Sequence, residues 1–134
     1  MPTGSDLAYF DASALHKLVV AEAETDALRS ALTGWRRGAT SRLAVVELIR
    51  SLRRAAPGLE ADARWALTAL ALVNDSDRTL ATAAEIQQPT LRALDAIHVA
   101  TAYRLRSALA AFVSYDQRQL EAAEALGLPI ASPR

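Results

Sequence analysis

The chain has 134 residues, of which 51% are apolar, and its 15 basic and 15 acidic side chains give a formal net charge of zero. This length suits one domain with a real core, so residues 1–134 are predicted to form a single domain. With no cysteine, the chain has no disulfide, thiolate metal site or cysteine nucleophile, and its neutral charge does not favour a nucleic-acid protein.

The first elements are predicted from apolar residues and capping signals. Leu7–Phe10 is a short buried strand, which Asp11 ends, and Ser13 can cap the helix that follows. Residues 16–38 are typical of a helix that is interrupted near 22–25, with Thr25 as a second N-cap. Two glycines mark the exit of this helical stretch: Gly34 and Gly38.

The middle of the chain alternates in the same way. Residues 39–41 are predicted as a very short strand or its end, and a helix begins at Arg42. Its apolar residues recur at helical spacing on one face, at Val45, Leu48, Ile49 and Leu52. Pro57 and Gly58 stop it. A helix from residue 59 then leads into a possible strand, Leu70–Val73, and residues 76–88 form a helix capped by Ser76 or Asp77.

The last third begins with "LRALDAIHVATA", residues 91–102, which is apolar on almost all sides and predicts a buried helix. "AAFVSYD" is a strand that ends on an acid, "QRQLEAAEALG" a helix with its terminal glycine, and "LPIASP" a last short strand. Apolar strands separated by helices predict an α/β fold with a short-stranded parallel sheet covered by helices on both faces.

Two aspartates directly follow predicted strands. Asp11 follows the first strand and Asp116 follows "AFVSY". If the strands are parallel, both acids lie at the carboxyl edge of the sheet, where open α/β sheets bind ligands. Either aspartate alone also fits the common role of a helix N-cap, so these two positions leave capping and function open.

Two further acids lie on predicted helices. Asp95 sits inside the apolar stretch, where an isolated carboxylate costs several kcal/mol unless an arginine or a cation compensates it. Glu47 shares a helix face with Arg50 and Arg54, and an exposed ion pair there is the simple interpretation. His98 lies among apolar neighbours, which favours a packed histidine with satisfied ring nitrogens over a general base.

The combination of acids indicates a metal site. Several carboxylates at one edge repel each other unless a cation neutralises them. Oxygen ligands without cysteine suit Mg²⁺ or Mn²⁺ better than zinc, and such ions commonly serve phosphate chemistry. No phosphate-binding glycine loop, dinucleotide fingerprint or nucleophile elbow is present in the sequence.

Four segments resemble the PIN-domain ribonucleases, specifically the VapC toxins of bacterial VapBC toxin–antitoxin pairs. They are "YFDASALHKLVVAE", "SRLAVVELIRSLRR", "LRALDAIHVATA" and "FVSYDQRQLEAAEALGLPIASP", in the order and spacing of that family. The resemblance covers almost the whole chain and implies a three-layer α/β/α PIN-like domain.

What the resemblance implies about the site is specific. Asp11, Glu47, Asp95 and Asp116 would form the catalytic acids and hold Mg²⁺ or Mn²⁺, with Asp11 and Asp95 as direct ligands, Asp116 as a third and Glu47 acting through water. Ser13 and Ser114 match hydroxyl positions that support the acids. Gln117 stands where many relatives carry another acid or Asn, which argues against a second metal.

The resemblance also implies partners. The family cleaves RNA, typically tRNA or ribosomal RNA, tends to form homodimers, and is covered by a VapB antitoxin segment. Candidate RNA-binding cations are Lys17, Arg42, Arg50, Arg54, Arg78, Arg92 and Arg118. Two alternatives stay open, a non-catalytic binding module of the same fold and a structure-specific DNA nuclease. No apolar run approaches the roughly 18–20 residues that cross a bilayer, and residues 1–10 do not resemble a signal peptide, so a cytoplasmic protein without membrane contact is expected.

Overall fold

The computed structural model describes residues 5–134 and contains a sheet with helices on both sides. The strands are β1 (Leu7–Phe10), β2 (Arg37–Ser41), β3 (Ala71–Val73), β4 (Leu109–Val113) and β5 (Ile130–Ala131). The helices are α1 (Ala12–Val19), α2 (Thr25–Ala31), α3 (Arg42–Ala55), α4 (Glu60–Leu67), α5 (Asp77–Ala84), α6 (Ala93–Arg104) and α7 (Gln117–Ala125). Short 3₁₀ turns cover Leu32–Gly34 and Pro57–Leu59.

The sheet is parallel throughout, in the order β3-β2-β1-β4-β5. The chain starts in the middle of the sheet, extends to β3 at one edge, and returns to β4 and β5 on the other side of β1. Strand order therefore reverses at β1, next to β4, and ligands bind at such a switch point, beyond the carboxyl ends of the strands.

Each face of the sheet has its own core. Alternate residues of β1 point to opposite sides, so Ala8 and Phe10 pack under α1, α3 and α4, whereas Leu7 and Tyr9 pack under α6 and α7. The ring of Tyr9 stacks on Phe112 of β4, with ring centres 5.7 Å apart. These two cores give the α/β/α layers, and they confirm the predicted α/β class.

Several predicted helix starts are wrong by a few residues. α1 begins at Ala12, four residues before the predicted start, and its N-cap is Asp11, which accepts a hydrogen bond from the Ala14 N–H, rather than Ser13. The N-cap of α2 is Glu24. The Thr25 hydroxyl instead donates to the Lys17 carbonyl. This hydrogen bond joins α2 to the end of α1.

Gly38 does not mark a helix exit, because it lies inside β2. A Cβ built on Gly38 would come 2.6 Å from Leu70 Cδ2, so the glycine permits close packing of this strand. The helix predicted over residues 76–88 already ends at Ala84 as α5. β4 ends at Val113, so Ser114 and Tyr115 lie beyond the end of the strand.

Among residues 5–134, no helix is long and apolar enough to cross a membrane. The absence of a signal peptide, expected from residues 1–10, concerns a segment whose first four residues lie outside the described range.

Candidate active site

Asp11 lies at the carboxyl end of β1 and is 1% exposed. Its carboxylate accepts hydrogen bonds from the Ser13 hydroxyl at 2.7 and 2.9 Å, the Ser114 hydroxyl at 2.7 Å and the Ala14 N–H at 2.9 Å. Burial raises the pKa of Asp11, and these hydrogen bonds oppose part of that rise. The fold therefore holds Asp11 in a place where its negative charge is costly.

Asp116 caps α7 and is joined to Asp11 through one hydroxyl. Its Oδ1 accepts from the N–H groups of Arg118 and Gln119, at 2.9 and 3.4 Å. Its own N–H donates to Ser114 Oγ at 3.0 Å, and the same Oγ–H donates to Asp11. Asp11 and Asp116 are thus both helix N-caps, which confirms the capping interpretation. The other carboxylate oxygen of Asp116 accepts no hydrogen bond within residues 5–134.

Asp95 lies in the first turn of α6 and is half-buried. Its Oδ1 accepts from Gln119 Nε2 at 2.8 Å. Gln119 is 3% exposed, and its Oε1 is buried without a hydrogen-bond partner in the described part of the chain. Sequence reasoning missed Gln119, although its position three residues after Asp116 on a helix puts both side chains on one face.

Glu47 is half-buried on α3 and contacts a buried polar chain. His98, 0% exposed, lies with Nε2 2.6 Å from Glu47 Oε1 and Nδ1 2.6 Å from the Tyr9 hydroxyl. The Tyr9 hydroxyl also accepts from the Ser41 N–H at 3.2 Å. Both ring nitrogens are satisfied, as predicted, but one partner is a candidate site acid. The alternative pairing of Glu47 with Arg50 or Arg54 is not found within residues 5–134.

Hydrogen bonds link the candidate acids at one edge of the sheet. The Ser114 hydroxyl joins the Asp11 carboxylate to the Asp116 N–H. Gln119 donates its backbone N–H to Asp116 and its side-chain amide to Asp95. Glu47 is tied to α6 through His98. Within the described residues, however, no three Asp, Glu, His or Cys side chains are grouped closely enough to hold one metal ion together.

The donor set nevertheless suits a hard cation in kind. Carboxylate and amide oxygens are the ligands that Mg²⁺ and Mn²⁺ take. Across residues 5–134, one carboxylate oxygen each of Asp95, Asp116 and Glu47 accepts no hydrogen bond. The buried Oε1 of Gln119 adds a further oxygen without a partner.

A groove of about 820 Å³ runs from Glu47 between α1 and α3. Its rim carries exposed apolar side chains, Val46 at 57% and Leu94 at 47% exposure. Lys17 lines it but is paired with Glu22 and Glu24, and the hydrogen bond to Glu24 raises its pKa. Arg50 and Arg54 also line it. Neither forms an ion pair within the described chain.

Comparison with known proteins identifies relatives along most of the chain. The profile of the PIN domain matches residues 8–125. Ribonuclease VapC47 of Mycobacterium tuberculosis (strain CDC 1551 / Oshkosh) is 41% identical over an alignment of 130 residues, and the alignment covers 93% of this chain and 96% of the relative. Ribonuclease VapC46 of Mycobacterium tuberculosis (strain ATCC 25618 / H37Rv) is 39% identical over 125 residues, with the same coverage.

Solved structures share the fold. A toxin–antitoxin complex from Klebsiella pneumoniae superposes with a TM-score of 0.72 at 24% identity, covering 95% of this chain and 98% of that one. VapC20 of Mycobacterium tuberculosis, a Sarcin-Ricin loop cleaving toxin, superposes with a TM-score of 0.71 at 14% identity, covering 86% and 94%. At these identities the likeness concerns the fold alone.

The fold and its acidic edge define a three-layer α/β domain with a carboxylate-rich site beyond the strand ends. The chain belongs to the PIN-domain family and, within it, to the VapC ribonucleases. The predicted family, fold class and enzyme class are thereby confirmed. The roles of the individual acids stay predictions.

Proposed function

We propose that this protein is the endoribonuclease toxin of a type II toxin–antitoxin system, and that it hydrolyses RNA phosphodiester bonds with the help of Mg²⁺ or Mn²⁺. The observation that carries the proposal is a continuous series of hydrogen bonds at the edge of the sheet, which links Asp11, Asp116 and Asp95. The relatives named Ribonuclease VapC support the same activity. Transfer RNA or ribosomal RNA is the proposed substrate class.

Asp11, Asp95 and Asp116 would hold the ion, and Glu47 would act through a water. A carboxylate has about four acceptor positions. Three donor groups contact Asp11, and the one Ser13 proton is shared between both carboxylate oxygens, so at most one position remains for an ion. When bound, the cation would offset charge that builds on the phosphate and acidify the attacking water. Because the acids are not grouped around one point, we expect weak binding that strengthens when RNA phosphate contributes an oxygen.

The protein's own groups have separate tasks in this proposal. Ser114 fixes Asp11 and Asp116 relative to each other, and Gln119 orients Asp95. His98 holds Glu47 at the groove, where Glu47 can accept a proton from water. These links reduce the reorganisation that the site needs when substrate binds.

The groove beside Glu47 is the proposed place for an antitoxin segment. Val46 and Leu94 expose apolar surface on its rim, and Arg50 and Arg54 supply positive charge. A segment with apolar and acidic side chains would complement both features.

We also propose a homodimer and a cytoplasmic location. Light scattering at micromolar concentration would measure the oligomeric state, and a monomer would contradict the dimer.

We propose that residues 1–134 form a single domain, because strands at both ends of the described chain belong to one sheet. β1 begins at Leu7, just before the profile match, and β5 (Ile130–Ala131) lies beyond its end. Both strands belong to the one sheet, since β5 pairs with β4 and β4 with β1.

The decisive experiment replaces Asp95 by Asn. The isosteric amide keeps the shape of the side chain but removes the charge, so cleavage of structured RNA in Mn²⁺ should fall by about 100-fold or more, with little change in the thermal unfolding temperature. Asp62→Asn, an exposed change on α4, is the matched control and should cleave normally. Full activity of Asp95→Asn would overturn the assignment, and cleavage of matched DNA at an equal rate would overturn the RNA substrate.

A further inference from the structure

A second cationic feature lies away from the acids, between the start of α5 and the end of α6. We call it the arginine pocket; its cations are Arg78, Arg104 and Arg106, and its volume is about 270 Å³. Thr79, Thr82, Ala100 and Tyr103 complete the lining. Asp95 and Arg104 are nine residues apart on α6, so at 1.5 Å per residue the pocket is about 14 Å along the helix from that acid.

None of the three arginines has an acidic partner within residues 5–134. In the described part of the chain none of them forms an ion pair, whereas Arg37, Arg53 and Arg64 each pair with a carboxylate. Arg104 has a structural reason for its position, because a cation at the last turn of α6 is favoured by the helix dipole. Arg78 has none, since it lies in the first turn of α5, where the dipole disfavours positive charge.

Arg106 is held in position by Tyr103. Its Nη1 donates to the Tyr103 carbonyl at 3.0 Å, and its guanidinium carbon lies 4.3 Å from the centre of the Tyr103 ring. A guanidinium fixed by stacking loses less conformational entropy when it binds an anion. The pocket therefore combines one oriented guanidinium with two whose side chains form no ion pair within residues 5–134, in a chain with no net charge.

We propose that the arginine pocket is an RNA exosite, which binds a backbone phosphate outside the segment being cut. This inference rests on the proposed ribonuclease function, because an RNA that reaches both places must extend over at least that distance along α6. Arginine forks match phosphate oxygens in pairs. The exosite would give affinity for large structured RNA without entering the chemistry at the acids.

The test measures RNA binding in EDTA, where the acids cannot use a metal. Fluorescence anisotropy follows labelled unfractionated tRNA. The triple variant Arg78→Gln, Arg104→Gln, Arg106→Gln should raise the Kd for tRNA about tenfold. It should also flatten the slope of log K against log salt by about 1 for each lost phosphate contact.

The control removes the same charge elsewhere, with Arg29→Gln, Arg36→Gln and Arg53→Gln, and should weaken tRNA binding much less. Equal weakening by both triple variants, or no effect of the pocket variant on tRNA, would each overturn the exosite. Circular dichroism melting confirms that both variants fold. If the wild type binds tRNA through the pocket but cleaves no RNA in Mn²⁺, the proposed function fails and the exosite stands.

Discussion

Asp11 couples function to stability at the scale of one residue. Its pKa is raised by burial, so its ionised form destabilises the fold. This loss of unfolding free energy is absent below the unfolded pKa of about 3.9, and it grows as the pH rises through the raised pKa of Asp11 in the folded state. Asp11→Asn keeps a capping side chain, and the two serine hydroxyls can reverse their hydrogen bonds. The unfolding temperature of Asp11→Asn in EDTA at pH 7 should therefore lie above that of the wild type.

The pH dependence tests the cause of that rise. The difference in unfolding temperature between Asp11→Asn and the wild type should shrink as the pH falls to and below the unfolded pKa of about 3.9, because only there is Asp11 neutral in both states. The exposed variant Asp62→Asn should show no such trend. A variant that melts below the wild type at pH 7 would mean that the hydrogen bonds to the Asp11 carboxylate outweigh its desolvation.

His98 gives a second prediction at this scale, and it separates positioning from packing. His98→Gln should lower kcat for RNA cleavage about tenfold or more with little change in KM, because Glu47 loses the bridge that holds it 2.6 Å from Nε2. Tyr9→Phe is the matched control, since it removes the bond to Nδ1 and leaves Glu47 in place. If both variants lose stability and neither loses kcat, His98 only fills the core.

At the scale of the element, α7 shows how one residue can serve both fold and site. Asp116 caps the helix with one oxygen and leaves the other without a hydrogen bond within residues 5–134. Asp116→Asn keeps the cap, so it should lose cleavage with almost no change in stability. Asp116→Ala should lose cleavage and also about 1 kcal/mol of unfolding free energy. Normal cleavage by Asp116→Asn would make Asp116 a cap alone, and urea unfolding beside an RNA cleavage assay measures both quantities.

The elements also show what local sequence predicts and what it does not. β1 was predicted to the residue because Leu7–Phe10 is buried on both sides and therefore apolar throughout. The interpretation of Gly38 as a helix end is wrong because its packing partner Leu70 is 32 positions away, in the turn between α4 and β3. Gln119 was missed for the same reason, since Asp95 lies on a different helix. Hydrogen bonds between distant elements leave no periodic signal in the sequence.

For the whole molecule, the parallel direction of the strands determines where most of the site residues lie. Once β1 and β4 were predicted to be parallel, Asp11 and Asp116 had to share an edge, and Ser114 joins them there. Glu47 and Asp95 stand out on predicted helices, but a helical position does not identify an edge of the sheet, and it is the resemblance that assigns both residues a role in the site. Spacing could not reveal that the acids stop short of a single metal cluster, because that depends on side-chain orientation.

A divalent cation should act on the whole molecule by offsetting repulsion among the acids. Binding to the folded state alone stabilises it by RT ln(1 + [L]/Kd), about 1.4 kcal/mol when the ion is at ten times its Kd. The unfolding temperature of the wild type should therefore be a few degrees higher in 10 mM MnCl₂ than in EDTA at equal ionic strength. Asp95→Asn should lose most of this shift, whereas Asp62→Asn should keep it. An equal shift in all three proteins would place the ion elsewhere, because only a site that includes Asp95 depends on its charge.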